Sequence, residues 1–173
     1  MKTQMKKIAL AIGATLLATG VFAATDTANL AVSATVVNVC AIGPGTLAFG
    51  TIELGVNAGA GTLNPTNRDA DSGSTISIVC TNGASAAITA GLGANAVGSV
   101  RNMISGVDLL AYELYTNAGR SLVLNATNAI SYTGTGLAVT TQTVYGRITG
   151  AQVAAAKKGS YADTVLMTVT YTP

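Results

Sequence analysis

The chain has 173 residues, of which 49% are hydrophobic and 9% charged, and it contains no histidine. High apolar content with low charge excludes an intrinsically disordered chain. Without histidine no Ser/His arrangement for nucleophilic catalysis exists, and a histidine-ligated metal centre is excluded as well.

The first 23 residues follow the three-part pattern of a secretory signal peptide. Three lysines stand within the first seven positions, and residues 8–17 are an unbroken run of apolar and small residues. That run is too short to anchor the chain in a membrane, and Ala23 supplies the small residue that cleavage requires. We therefore expect residues 1–23 to be removed. The remaining chain, beginning at Ala24, has the size of one ordinary domain.

Removal of this segment changes the charge balance of the chain. Three of the nine basic residues lie in it, which leaves six basic residues against seven acidic ones, a net charge of −1. The mature chain therefore has no basic stripe, and nucleic acid is not an expected partner.

Two cysteines, Cys40 and Cys80, remain in a chain bound for an oxidising compartment. One disulfide is the simplest expectation, and two free buried thiols are the alternative. Closing a loop of this length stabilises a fold by about 4 kcal/mol in the chain-entropy model. Two thiolates alone do not make a zinc site, so we expect no metal and no cofactor.

Alternating or β-branched runs, separated by turns rich in Gly, Asn and Ser, predict about seven short strands and an all-β sandwich. The runs cover residues 30–40, 74–80, 86–90, 109–115, 121–124, 140–148 and 164–172. Residues 151–158 are marginal as a helix, and a loop or a single turn fits them equally well. Residues 55–73 have no pattern and are predicted to form a surface loop.

The last run is a strand with one apolar face. Val165, Met167, Val169 and Tyr171 share that face, and the alternate positions are mostly hydroxylated. Because the sequence ends two residues later, we expect the free edge of this strand to be uncovered.

The first run has two open interpretations. Leu30, Val32, Ala34 and Val36 share an apolar face, and the alternation breaks down after Val36. First strands usually pair within their own domain, which favours a strand of the chain's own sheet. The alternative is that two segments with different structural roles meet in this run, and that residues 30–36 are not part of the chain's own sheet.

Motifs for catalysis are weak. The run GLGANA at residues 91–96 matches the dinucleotide pattern GxGxxA, but no helix pattern follows it, so a glycine-rich turn is the better interpretation. Asp69 and Asp71 are too few oxygen ligands for a calcium site. Asp108 and Glu113 stand at odd spacing on one strand and would point to opposite faces rather than into one cleft. We expect no enzymatic activity.

Several short sequence blocks each indicate little alone, but their order and spacing together are specific to one protein family. They are LAFG (47–50), STISIVCTNG (74–83), RNM (101–103), LAYELYTNAGR (110–120), VYGRI (144–148) and GSYADTV (159–165), followed by MTVTY (167–171). Together they resemble the spore coat protein U domain, which is found in the pilins of archaic, Csu-type chaperone–usher pili. The chain departs from this family in lacking a Trp-Gly pair within residues 124–132 and a proline after residue 148.

The resemblance implies an incomplete immunoglobulin-like sandwich that lacks its last strand and carries an N-terminal donor-strand extension. The implied organisation is a signal peptide (1–23), a donor extension (24–36) and a pilin β-sandwich domain (37–173). In such pilins the positions of Leu30, Val32, Ala34 and Val36 match the donor strand, which inserts into the groove of a neighbouring subunit. The acceptor groove is expected to be flanked by Val165, Met167 and Val169.

The implied function is that of a structural pilus subunit, which polymerises by donor-strand complementation into a surface fibre for adhesion and biofilm formation. Its implied partners are copies of itself or related pilins, a periplasmic chaperone and an outer-membrane usher. The implied route leads through the periplasm to the cell surface. The alternative is a secreted spore-coat or carbohydrate-binding β-sandwich module, with the N-terminal strand folded into its own domain.

Overall fold

The computed structural model describes residues 26–52 and 69–173. The predicted signal peptide lies outside the described residues, as does most of the predicted loop at 55–73. The chain divides into two units, Met1–Thr35 and Val36–Pro173. In the first unit, residues 26–35 are exposed and form neither helix nor strand.

The second unit is built from short antiparallel strands, which form a five-stranded and a three-stranded sheet. The elements are β1 (Cys40–Ile42), β2 (Ala70–Cys80), β3 (Ser85–Ala90), β4 (Arg101–Ser105), β5 (Asp108–Tyr115), β6 (Ile130–Thr133), β7 (Gly136–Ile148), α1 (Gly150–Ala155) and β8 (Met167–Tyr171). The larger sheet has the order β1-β2-β7-β5-β4, and the smaller has the order β6-β3-β8. The predicted all-β fold class is confirmed.

The hydrophobic core draws on both sheets, because alternate residues of each strand point inward. In β2 the inward positions end in Ile76, Ile78 and Cys80, and in β3 Ile88 is fully buried. The first half of β2 has serine at its alternate inner positions. The hydroxyls of Ser72 and Ser74 donate hydrogen bonds to the main-chain carbonyls of residues 48 and 46. Residues 43–49 therefore follow this half of β2.

A buried arginine ties the two sheets together. Arg101 is 1% exposed, and its guanidinium donates to the carbonyls of Gly91, Ala90 and Leu124 at 2.9, 3.2 and 2.8 Å. It also forms an ion pair with Glu113 on β5. Since Ala90 ends β3 and Arg101 begins β4, the side chain joins the small sheet to the edge of the large one.

Several predicted strands differ from those observed. The first run does not form a strand over 30–40, since β1 covers only Cys40–Ile42 and pairs with β2. Residues 121–124 contribute only an isolated bridge between Tyr115 and Val123, because the Asn117 carboxamide accepts hydrogen bonds from the amides of Ser121 and Leu122 and holds a turn. The sequence also failed to predict β4 and β6, which are short. β2 begins at Ala70, inside the predicted loop.

The helix candidate forms a short helix, Gly150–Ala155. The amide of Gly150 donates to the carboxylate of Asp69 at 2.9 Å, which satisfies one amide at the start of the helix. The run GLGANA lies in turns between β3 and β4, and no helix occurs within residues 91–100. Among the described residues, no helix has the length and apolarity needed to cross a membrane.

Candidate functional site

The candidate site is the open edge of β8, at the end of the three-stranded sheet. β8 pairs with β3 along one edge, in the register Ala86↔Tyr171, Ile88↔Val169 and Ala90↔Met167. Its other edge has no strand partner within residues 26–52 and 69–173. The main-chain groups on that edge can therefore accept one more strand.

Side-chain burial decreases from β3 towards this edge. Ile88 in β3 is 0% exposed, whereas its cross-strand partner Val169 in β8 is only half-buried. Met167 and Val165, on the same side of the chain, are also half-buried and pack against the core. The structure thus brings the three predicted groove residues together along one apolar, incompletely covered line.

The opposite side of the open edge comes from the larger sheet. Its edge strand β1 lies against β8. At one end the Asn38 carboxamide donates to the carbonyl of Thr172 at 2.8 Å. At the other end Phe49 packs edge-on against Tyr112, with ring centroids 6.3 Å apart, and the Tyr112 hydroxyl donates to Asp163 at 2.7 Å. Residues 38–49 therefore run antiparallel to residues 163–172.

Three half-buried side chains from this opposite wall were missed by the sequence analysis. Ile42, Leu47 and Phe49 pack against the core without being covered by it. Leu47 and Phe49 lie directly over Gly146 of β7, where an added Cβ would come within 2.9 Å of Leu47 and 2.8 Å of Phe49. The alternation of Leu47 and Phe49 in the LAFG block was the signal that could have identified them.

One end of the open edge is fixed by a polar cluster around Asp163. The amide and the carboxamide of Asn95 donate to its Oδ1 at 3.1 and 2.9 Å. Burial acts to raise the pKa of Asp163, but hydrogen bonds from Tyr112, Thr164 and Asn95 outweigh it, so the pKa is lowered. Gly93 has φ +96°, and a Cβ there would stand 2.0 Å from Oδ2 of Asp163. Glycine is therefore needed beside this carboxylate.

The other end lies at the disulfide. Cys40 and Cys80 are bonded to each other and are register partners in β1 and β2. Cys80 is buried, and the Val39 amide donates to the Thr81 hydroxyl at 3.0 Å, directly beside the bridge. The predicted disulfide is present, and it holds the start of the sandwich to β2.

The predicted donor residues lie immediately before this point. Leu30, Val32 and Val36 are 87%, 84% and 81% exposed, and Ala34 is exposed as well. Residues 26–37 are exposed throughout and belong to no strand. The segment thus presents an alternating apolar pattern that no β-pairing uses among residues 26–52 and 69–173.

These features define an all-β sandwich of two antiparallel sheets with an apolar open edge at its last strand. The chain matches the model of the Spore Coat Protein U domain over residues 26–168, and it belongs to that family. It is 36% identical over 165 residues to Protein U of Myxococcus xanthus, which covers 86% of this chain and 87% of that protein.

Among solved structures, the chain is similar to the CsuC–CsuE chaperone–tip adhesion subunit pre-assembly complex from archaic chaperone–usher Csu pili of Acinetobacter baumannii. The TM-score is 0.46 and the sequence identity 23%. The match covers 78% of this chain and 40% of the matched chain.

Proposed function

We propose that this protein is a structural subunit of a chaperone–usher surface fibre and polymerises by donor-strand complementation. One observation carries the proposal. The half-buried apolar line on β8 has an unpaired edge in the described residues, and the same chain has an exposed apolar-alternating segment without a strand partner. If that segment of one subunit pairs with β8 of the next, the free edge of β8 gains a strand partner and the apolar face of the segment becomes buried. Membership of the Spore Coat Protein U domain family supports the assignment.

In this role the extension supplies residues 30–36 to a neighbouring copy. Main-chain hydrogen bonds to the free edge of β8 supply affinity, and alternate side chains fill the gap between the two sheets. Leu30, Val32, Ala34 and Val36 become buried against Val165, Met167, Val169 and the opposite wall. Each large apolar side chain contributes on the order of 1.5–3 kcal/mol by burial. Before assembly, a periplasmic chaperone covers the same edge, and the outer-membrane usher is the site of exchange. The role is structural rather than catalytic.

The experiment that tests this proposal places a charge in the donor strand. Val32→Arg would bury an unpaired cation in an apolar gap, at a cost of several kcal/mol. We expect this variant to fold, to bind the chaperone and to keep its disulfide, yet to form few or no fibres, as counted by electron microscopy. Thr35→Arg is the matched control, because residue 35 lies on the opposite face, and it should assemble far better.

The second candidate is a secreted spore-coat module whose N-terminal strand completes its own domain. The family description, Spore Coat Protein U domain, and the 36% identity to Protein U over 86% of this chain favour this candidate. The absence of any strand within residues 26–39 counts against the self-completed form. If Val32→Arg abolishes accumulation of the subunit in the periplasm, the segment belongs to its own domain and this second candidate replaces the first.

A further inference from the structure

The outer face of the five-stranded sheet carries an exposed apolar area at the end that holds the disulfide. We define the end patch as Val39, Ala41, Val79, Leu137 and Val139; Val79 is half-buried, and the other four side chains are exposed. Cys40, Ile78 and Cys80 point into the core, so Val39, Ala41 and Val79 point outward by strand alternation. Ala41 and Val79 are register partners.

The β7 part of the patch is held outward by an irregularity in the sheet. β7 pairs with β2 at Thr140↔Ile78 and again at Gly136↔Cys80, with a register shift between these pairs. The additional residues of β7 therefore bulge beside Val79. Leu137 in this bulge is 98% exposed and Val139 is 68% exposed. Large apolar side chains presented in this way by adjacent strands are typical of an interaction surface.

The chain itself indicates what covers the end patch. We propose that it is a second contact site for the same neighbouring subunit that accepts the donor strand, an inference that rests on the proposed function. Val36 is the last inserted residue, and Val39 is the first residue of the patch. Three residues of extended chain span at most about 11 Å, so the accepting subunit must reach the immediate surroundings of the patch.

Chemistry supports an apolar surface of a second copy as the occupant. The side chains of the end patch carry no charge and no hydrogen-bonding group, so a charged or strongly polar partner would gain nothing there. When a donor strand is inserted, the end patch of the donating subunit therefore comes to lie next to the accepting subunit. Burying the end patch adds a contact beyond the inserted strand and so fixes the angle between successive subunits.

The test is site-specific photo-crosslinking in assembled fibres of the full-length mature subunit. A benzoylphenylalanine at Val139 should crosslink subunits into ladders that survive boiling. The matched control is the same probe at Thr75, an exposed position on the same face of β2, about 13 Å from Val79 along the strand. The control should crosslink far less.

The outcomes separate the two proposals. Fibres that form normally but give no crosslink at position 139, or equal crosslinking at both positions, overturn the end-patch contact and leave donor-strand assembly standing. A wild-type subunit that forms no fibres with its chaperone and usher overturns both. As a second measurement, Leu137→Asp should yield fibres that dissociate at lower temperature than those of Thr75→Asp, and equal dissociation temperatures also overturn the contact.

Discussion

At the scale of single residues, buried or half-buried polar side chains stand at the end of the hydrophobic core and at the end of the open edge of β8. Arg101 is buried, and each of its three guanidinium nitrogens has a partner among three carbonyls and Glu113, so it closes the end of the core between the two sheets. Asp163 similarly fixes the chain just before β8 through Tyr112 and Asn95. No side-chain polar atom buried among the described residues lacks a hydrogen-bond partner.

The lowered pKa of Asp163 predicts an acid-dependent loss of stability. A carboxyl group with a depressed folded pKa contributes stability above its unfolded value, about 3.9, and the contribution is lost as pH falls through the folded pKa. We expect Asp163→Asn to be less stable at pH 7 and to lose stability less steeply as the pH falls below about 4. Urea unfolding of the donor-complemented subunit across this range measures both effects.

Tyr112→Phe provides the matched comparison, since it removes one donor to the carboxylate while keeping the carboxylate itself. It should raise the pKa of Asp163 towards its ordinary value and weaken the acid dependence in part. If acid lowers the stability of Asp163→Asn as steeply as that of the wild type, other carboxylates cause most of the loss of stability at low pH. Asp71, which is paired with Arg147, is one of them.

At the scale of elements, β1 is the shortest strand of the described residues, and a disulfide links it to β2. It has only three residues, and it pairs with β2 along one edge. So short a ladder contributes few hydrogen bonds, and the disulfide in its first register pair holds it in place.

Replacing both cysteines by serine should therefore lower the free energy of unfolding by about 4 kcal/mol in the chain-entropy model. Local opening should appear first in β1. Hydrogen exchange followed by mass spectrometry should show faster exchange in a peptide covering residues 38–45, with protection in β5 retained. Equal exchange in the oxidised wild type and the double variant would mean that packing and hydrogen bonds hold β1 without the disulfide.

Elements also show what the sequence could and could not predict. Strands with clean apolar alternation, such as the end of β2, β5 and β8, were recognised. β4 begins with Arg101 and Asn102, both buried, and their polarity concealed the strand because burial here depends on hydrogen bonds from distant residues. The run at 30–36 alternates well but forms no strand within the described residues. Alternation predicts which face of a strand is apolar, but it does not predict which sheet the strand joins.

At the scale of the whole molecule, the sandwich exposes an apolar edge that its own described strands do not complete. The family resemblance predicted Val165, Met167 and Val169 as groove residues, and the structure groups them on one open line. The alternation of Leu47 and Phe49 indicates a buried face, but no local pattern predicts that residues 38–49 lie against β8 and that these side chains, with Ile42, form the opposite wall. That the line receives a donor strand stays a prediction.

A donor peptide should therefore complete the molecule. We expect the mature subunit without its chaperone to aggregate through the open edge. Addition of a synthetic peptide of residues 26–38 should give a soluble monomer with a higher unfolding temperature, measured by light scattering and calorimetry. The peptide with Val32→Arg is the control and should give no such rise. A lone subunit that is monomeric, stable and indifferent to the peptide would show that the sandwich is already complete.

The position of the Cys40–Cys80 bridge also governs how a fibre of these subunits would bear tension. A pull on the extension first loads the hydrogen bonds that join residues 37–39 to Thr81 and Thr172, and then meets the bridge at the first residue of β1. The force then passes through the covalent link into β2, whose long antiparallel ladder with β7 resists it in shear. Under reducing conditions the same pull would peel three residues of β1 from the sheet one pair at a time, so a reduced fibre should yield at much lower force.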